Sequence, residues 1–230
     1  MLTEKSSEIV ASYKTFINDK LFPCIGARAA LGKQNIRCMV AEHMACPADD
    51  SGILQFLYDF VDEYRATTGI FYSAAILFKE PVIRDEKLFD RLLWTRLQAL
   101  SDLDAKSYDY DSRVGRDPAK SDFSFSLKEE SFYIIGLNPA SNRKARRFDY
   151  PALVFNPHAQ FERLRETDSY EKMKTIVRKR DIGCSGSVNP MLDDFGHSSE
   201  AIQYSGLFYD NQWQCPLTIN HGKTGHHSTP

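Results

Sequence analysis

The chain has 230 residues, of which 42% are hydrophobic and 26% are charged, and its formal net charge is −2. This is the composition of an ordinary globular protein, and we expect one domain because no linker rich in Pro, Gly or Ser divides the chain. The small net charge argues against a nucleic-acid-binding protein. The longest apolar run, residues 70–78, is far shorter than the roughly 20 residues of a membrane-spanning helix. The first residues also lack the pattern of a signal peptide, which predicts a cytoplasmic protein without membrane contact.

Cysteine usage favours a reducing compartment. The five cysteines are odd in number and widely separated: Cys24, Cys38, Cys46, Cys184 and Cys215. We therefore expect reduced thiols rather than a disulfide framework. No C-x-x-C pair is present, which argues against a structural zinc site.

Helices and strands alternate in the first half of the chain. The spacing of apolar residues predicts three helices, at residues 6–20, 49–64 and 85–103. Two strands are predicted between them, at residues 36–40 and 70–78, the second from its aromatic and β-branched content. Such alternation is typical of a sheet with helices packed on it.

Strands cluster in the second half. Residues 104–121 are polar and predict a loop. Two segments, 123–127 and 131–137, predict a β-hairpin joined by a charged turn. Residues 151–155 predict one further strand.

A long helix is predicted after this strand, from Asn156 to about Asp181, with a break near Asp168. The residues after it are expected to be irregular. Together the elements predict an α+β fold in which a central mixed or antiparallel sheet is covered by helices. We expect a single αβ domain over residues 1–216 and a flexible C-terminal tail over residues 217–230.

The corner between strand and helix at Asn156-Pro157-His158 is the most informative segment. Asn is a good helix N-cap and Pro is favoured at the first helical position, so His158 is placed in the first turn. There the positive end of the helix dipole disfavours imidazolium, which keeps the ring neutral and able to bind a metal. His158 is thus a candidate ligand, although simple packing at the corner would explain it as well.

A basic cluster lies just upstream of that strand. Residues 143–147 carry four cations, among them Arg146 and Arg147. Such a cluster can hold two carboxylates or a phosphate by charge-assisted hydrogen bonds, or it can be a solvated loop. Its place at the entrance to the strand that leads to His158 favours a binding role.

Small residues follow the first predicted helix. Gly26 and Gly32 flank them, which would let a flat ligand approach the backbone. Arg28 could meet an anion, and Cys24 could be a soft metal ligand, a reactive thiol or a small buried residue. The glycine spacing is not that of a dinucleotide-binding loop.

Several separated segments, in the same order along the chain, resemble the YqcI/YcgG family. They are Phe22-Pro23-Cys24-x-Gly26-Ala27-Arg28-Ala29-Ala30, Leu93-Trp94-x-Arg96-Leu97-Gln98-x-Leu100, Phe123-Ser124-Phe125-Ser126, Arg146-Arg147-Phe148 with residues 151–161, and Trp213-x-Cys215-Pro216. The similarity covers nearly the whole chain. It is to the branch that contains haem-dependent N-hydroxylases of the GntA type.

This resemblance implies an enzyme with haem b that hydroxylates a guanidino or amino nitrogen of an amino-acid-like small molecule. His158 would be the iron ligand, and Arg146 or Arg147 would contact the haem propionates. Arg28 and Cys24 are further candidates for cofactor binding. Because the chain has no C-x-x-C-H motif, the haem would be bound noncovalently.

Some alternatives stay open at this point. Cys24 and Cys215 are rival iron ligands, and a thiolate would impose a different chemistry on the haem from an imidazole. Dioxygen or peroxide would be the oxidant, and a separate reductase would supply electrons because no flavin or nicotinamide signature is present. The expected pocket is aromatic: Phe22, Trp94, Phe123 and Phe125.

Two other functions also fit the sequence. The protein could carry or sense haem without turnover. It could also bind an anionic small molecule at the arginine cluster without any haem.

Overall fold

A computed structural model of the chain describes residues 3–67, 69–167, 169–189, 191, 198–210 and 212–222. Its helices and strands, in chain order, are α1 (Glu4–Asn18), α2 (Ile25–Gly32), β1 (Ile36–His43), α3 (Asp50–Arg65), β2 (Ser73–Glu80), α4 (Glu86–Asp104), β3 (Phe125–Leu127), β4 (Glu130–Leu137), β5 (Ala152–Pro157), α5 (His158–Arg165) and α6 (Ser169–Ser185). Short 3-10 turns lie at Pro47–Asp49, Lys144–Arg146 and Glu200–Gln203. None of the helices in the described residues is long and apolar enough to cross a membrane.

The five strands form one mixed sheet in the order β1-β2-β5-β4-β3. β1 and β2 are parallel, and α3 forms the crossover between them. The other neighbours are antiparallel, with Val154 of β5 opposite Ala75 of β2 and Ile135 of β4. The predicted α+β class with a central mixed sheet covered by helices is confirmed.

Successive side chains along β5 point to opposite faces of the sheet and pack in two different layers. Leu153 and Phe155 point into the core beneath α3 and α4, whereas Ala152 and Val154 belong to the layer that contains α1 and α2. A period of two places successive side chains on opposite faces, so both faces of this central strand are apolar. We call the α3/α4 side the packed face and the other side the cavity face.

The packed face has close contacts between helix and sheet. α4 begins with an N-cap at Asp85, whose carboxylate accepts hydrogen bonds from the backbone N–H groups of Lys87 and Leu88. A Cβ atom added at Gly136 in β4 would lie 2.7 Å from the Phe89 ring of α4. Only glycine therefore allows the helix to approach the sheet this closely at that point.

Two segments differ from their predicted structure. Residues 25–32, which showed no clear pattern in the sequence, form α2, because the Cys24 Sγ accepts a hydrogen bond from the Ala27 N–H and caps this short helix. The predicted strand at residues 70–78 begins only at Ser73, since Phe71 has a φ of 67° and breaks the extended conformation. The predicted break near Asp168, a residue that lies outside the described ones, is confirmed, because α5 ends at Arg165 and α6 begins at Ser169.

The segment that follows Pro216 packs against the domain. The Leu217 and His221 side chains are buried. The His221 Nε2 lies 2.8 Å from the Oδ2 of Asp104, at the end of α4. Packing therefore extends to at least His221, beyond the predicted start of the flexible tail at residue 217, because the contact with Asp104 holds the segment against the domain. Residues 223–230 of that tail lie outside the described residues.

Candidate functional site

A cavity of about 370 Å³ lies on the cavity face of the sheet. Its floor is formed by side chains of β4 and β5, including Ile135 and Val154, and its walls by α1, α2, α5 and α6. Small-molecule and cofactor sites have volumes of this order and linings that are mostly apolar with a few polar groups. The cavity is therefore a candidate binding site.

His158 lines this cavity and is the first residue of α5, so it lies in the first turn as predicted. The predicted cap is wrong. Asn156 stays in β5 opposite Tyr133, where its Nδ2 donates to the Tyr133 carbonyl, and Pro157 also pairs in the strand. The helix begins one residue later than expected because antiparallel pairing with β4 continues through Pro157.

The His158 imidazole is neutral at ordinary pH. Burial lowers its pKa to about 4, and the nearby Glu162 carboxylate only partly opposes this. Burial, rather than the helix dipole expected from the sequence, is the main cause. The Nδ1 lies 3.7 Å from the Oε1 of Glu162, and the Nε2 lies 3.9 Å from the Oε2 of Glu200. Both separations exceed hydrogen-bonding distance.

Glu200 is a buried acidic residue of the cavity lining. Its Oε1 accepts hydrogen bonds from the hydroxyls of Ser124, at 2.8 Å, and Tyr204, at 2.6 Å. Burial raises the pKa of this carboxyl to about 7 against the opposing effect of the two hydroxyls. The sequence analysis missed Glu200, because it lies in a stretch without periodic pattern and reaches the site only by tertiary folding.

One face of α6 lines the cavity and makes it cationic. The lining side chains of this helix are three or four residues apart, as expected for a single helix face: Tyr170, Met173, Lys174, Val177, Arg178 and Asp181. Arg143 also lines the cavity and donates to the Asp181 Oδ2 at 2.6 Å. The described lining contains five Lys and Arg side chains but two Asp and Glu side chains. The cavity therefore suits a ligand with negative groups.

The three arginines named as candidates from the sequence differ in their positions and partners in the structure. The Arg146 guanidinium lines the cavity but donates to the backbone carbonyls of Gly136, Gln203 and Tyr204, and its burial lowers its pKa. Arg147 is exposed and donates to the Ser141 carbonyl at 2.7 Å.

Arg146 thus holds the 3-10 turn at Glu200–Gln203 against β4, which gives it a structural role that its sequence context did not reveal. Neither Arg147 nor Arg28, a residue of α2, is among the described side chains that line the cavity. The cations that do line it come mainly from α5 and α6.

Cys24 and Cys215 lie on different sides of the sheet. Cys24 lines the cavity, and burial raises the pKa of its thiol. Cys215 packs beside Trp213 against the core of the packed face, and burial raises its pKa to about 11. Of the two rival ligands, only Cys24 shares a cavity with His158.

The four aromatic residues expected to form one pocket lie on two different sides of the sheet. Phe22 lines the cavity, whereas Trp94, Phe123 and Phe125 are buried in the core of the packed face, because they lie on α4 and on the opposite side of the sheet. Other aromatic residues line the cavity in their place: Phe71, Tyr72, Tyr133 and Phe161.

The described residues contain no group of three or more His, Cys, Asp or Glu side chains that could hold a metal ion. His158 contributes the single imidazole of the described lining.

The chain is similar to known proteins over all the described residues that line the cavity. The YqcI/YcgG family model matches residues 13–218, a range that includes every side chain of the lining. The chain belongs to this family. It is also 27% identical over 218 residues to a Bacillus subtilis (strain 168) protein described as uncharacterized protein YqcI, a match that spans 88% of this chain and 85% of that protein. No solved structure matches this family member.

Proposed function

We propose that the cavity binds haem b with His158 as the iron ligand, and that the protein hydroxylates a nitrogen of a small-molecule guanidine or amine. The observation that carries this proposal is a buried, neutral imidazole in the wall of an apolar cavity with an excess of cations. The reaction and the substrate class rest on the resemblance to N-hydroxylases of the GntA type.

The proposed iron ligand has the required protonation state. A histidine binds a metal through the lone pair of a neutral ring. Because burial lowers the pKa of His158 to about 4, the ring is neutral at neutral pH and carries such a lone pair without the loss of a proton. Glu200, whose Oε2 lies 3.9 Å from the His158 Nε2, belongs to the cavity lining, and Glu162 does not.

The propionates of the haem would meet the cations of α6. Lys174 and Arg178 line the cavity from the same helix face, next to the pair of Arg143 and Asp181. Carboxylates form strong, charge-assisted hydrogen bonds with such groups. This assignment replaces Arg146 and Arg147, whose guanidinium groups bind backbone carbonyls.

The remaining walls would orient the substrate and exclude water. Apolar side chains of α1, β4 and β5 surround the space in front of His158, including Ile17, Leu137 and Val154. When bound, haem supplies the activation of dioxygen or peroxide. The chain contributes position and a dry environment, and a separate reductase or peroxide would complete the reaction. All five cysteines are unpaired, which suits a reducing, cytoplasmic setting.

The visible absorption spectrum of the purified protein, before and after haem addition, tests the ligand assignment. We expect a Soret band that is lost or strongly shifted in His158→Ala. The matched control is His43→Ala, which removes a histidine outside the described lining, at the end of β1. An unchanged spectrum in His158→Ala together with a changed one in Cys24→Ala would transfer the ligand role to the thiol.

Charge reversal on α6 tests the propionate assignment. The double variant Lys174→Glu/Arg178→Glu should bind haem more weakly in a titration. Its control is Lys172→Glu/Lys179→Glu, which makes the same change at two exposed positions of the same helix. Equal weakening in both pairs would contradict a specific role for the cavity cations.

Turnover separates an enzyme from a haem carrier or sensor. Holoprotein with a reductant, or with peroxide, would be mixed with a panel of guanidines and amines and the products weighed by mass spectrometry. A product heavier by one oxygen atom supports the enzyme. Bound haem without such a product favours the carrier or sensor. A protein that takes up no added haem favours the binding of an anionic small molecule.

A further inference from the structure

A continuous row of aromatic side chains connects the cavity with the molecular surface. Its five members, in order from the cavity, are Tyr133, Tyr204, Trp94, Trp213 and Tyr209. We propose that this row carries single electrons between a haem in the cavity and a donor at the surface near Trp213. The inference rests on the proposed function for its electron acceptor.

The rings follow one another at short distances. The ring centroids of Tyr133 and Tyr204 are 6.0 Å apart, and those of Tyr204 and Trp94 are 6.0 Å apart in a stacked arrangement. Trp94 is 5.7 Å from Trp213, which stacks on Tyr209 at 4.2 Å. Neighbouring rings are therefore in or near van der Waals contact along the row.

The row begins in the cavity, and Trp213, next to its last member, is partly exposed. Tyr133 lines the cavity. Trp213 is only partly buried and packs on the outside of the core of the packed face, so its indole is accessible to a molecule in solution. The row therefore joins the candidate site to an exposed point on the other side of the sheet.

The residue types suit electron transfer. Tyrosine and tryptophan lose an electron far more readily than phenylalanine or aliphatic residues do, and every member of the row is one of these two types. A tyrosine that loses an electron also releases its phenolic proton, so it needs an acceptor nearby. The Tyr209 hydroxyl donates to Asp90, which also accepts from the Trp94 Nε1 at 2.9 Å.

Acceptors are present at the cavity end as well. The Tyr133 hydroxyl donates to the Gln203 Oε1 at 2.6 Å, and the Tyr204 hydroxyl donates to the Glu200 Oε1 at 2.6 Å. Each hydroxyl or indole N–H with a described partner is thus directed at an oxygen that can stabilise the charge of the oxidised ring.

The proposed step conserves electrons and protons. Tyr209 gives one electron through the row to the oxidised haem and its proton to the Asp90 carboxylate, which leaves a neutral tyrosyl radical. A reductant of the ascorbate class returns one electron, and Asp90 returns the proton. Each molecule of the reductant loses one electron and one proton, and the proton is released to solvent. Reduction of one hydrogen peroxide to two waters takes two electrons and two protons, so the row operates twice for each peroxide, and solvent supplies the two protons that two molecules of reductant release.

The experiment uses full-length protein reconstituted with haem and treated with hydrogen peroxide in the presence of a spin trap. Radicals would be detected by electron paramagnetic resonance after rapid freezing, and the adducts located by peptide mass spectrometry. We expect adducts at Trp213 or Tyr209, which disappear when ascorbate is added. Protein without haem should form none.

Two variants make the test specific. Trp94→Phe keeps a ring at the middle of the row but removes the oxidisable one, so the adducts at Trp213 and Tyr209 should be lost while the haem spectrum is kept. Tyr64→Phe is the control, because Tyr64 is a buried tyrosine of α3 outside the row. It should leave the adducts unchanged.

The outcomes are distinguishable. Adducts at Trp213 that persist in Trp94→Phe would overturn the proposed path, as would haem-loaded protein that forms no such adduct. In both cases the haem site itself would stand. A protein that binds no haem would overturn the proposed function and this inference together.

Discussion

The packed face and the cavity face of the sheet are built from the same strands but are filled in different ways. On the packed face, side chains such as Phe89, Phe132 and Phe155 have no exposed surface, and the rings of Phe132 and Phe155 meet edge to face at 5.8 Å. On the cavity face, helices span a space of about 370 Å³ and surround it with ionisable groups. Stability is thus concentrated on one side of the sheet and binding capacity on the other.

The difference is sharpest within β5, where neighbouring residues serve opposite faces. Phe155→Ala would open a void in the packed core and should lower the free energy of unfolding by about 3–5 kcal/mol. Val154→Ala, its neighbour on the cavity face, only enlarges an existing space and should have a clearly smaller effect. Urea denaturation of both variants measures this. Similar losses would show that the cavity face is packed as tightly as the other.

The contact between His221 and Asp104 should be the next largest contributor. Both side chains are fully buried, and Asp104 also accepts hydrogen bonds from the Tyr58 hydroxyl and the Lys128 N–H. His221→Ala leaves the carboxylate Oδ2 without this partner, which should cost about 1–3 kcal/mol of stability. His43→Ala is the control in the same denaturation experiment, because His43 is only partly buried. No difference between the two variants would mean that the segment after Pro216 contributes nothing to the fold.

The two faces also control their ionisable groups differently. Burial alone would raise the pKa of Asp111, but hydrogen bonds from Arg113 and from the Ser131 N–H outweigh burial and lower it. Since the folded pKa lies below the unfolded value, Asp111 stabilises the protein above the unfolded pKa, and this stabilisation is lost as the pH falls through the folded pKa.

Stability measured from pH 6 to pH 2, a range set around an unfolded Asp pKa of about 3.9, should therefore fall more steeply for the natural protein than for Asp111→Asn. Parallel curves would contradict the assigned direction of the shift. His158 on the cavity face shows the opposite situation, in which burial dominates and the described carboxylates lie beyond hydrogen-bonding distance.

The smallest expected effect on global stability comes from the attachment of α6. The Asp181 carboxylate accepts from Arg143 and from the Asn189 N–H, which links this helix to the loop before β5. Asp181→Asn should accelerate hydrogen exchange of the α6 amides with little change in the free energy of unfolding. Exchange in α3, on the packed face, is the internal reference. Equal acceleration in both helices would indicate global rather than local loosening.

Much of the fold is visible in the sequence because the packed face follows regular patterns. The helical spacing in α4 and the alternation in β3 and β4 predict these elements to within a few residues. α2 escaped detection because it is short and begins with an unusual cysteine cap. Such a cap leaves no clear signal in the sequence.

The site is only partly predictable for a different reason. His158 could be identified because it stands at a strand-to-helix corner that has a local signature. Glu200 and the α6 cations reach the cavity through tertiary contacts, which single-sequence patterns do not record. Arg146 shows the converse problem, since an arginine that binds three backbone carbonyls has the same sequence context as one that binds a ligand.

The pairing of His221 with Asp104 has a consequence for how the chain acquires its structure during synthesis. The two residues are 117 positions apart. At roughly 5–20 residues per second, a ribosome needs on the order of ten seconds to make the intervening chain. Throughout that interval the Asp104 carboxylate lacks the imidazole. The contact at the end of α4 can therefore form only after His221 has been synthesised.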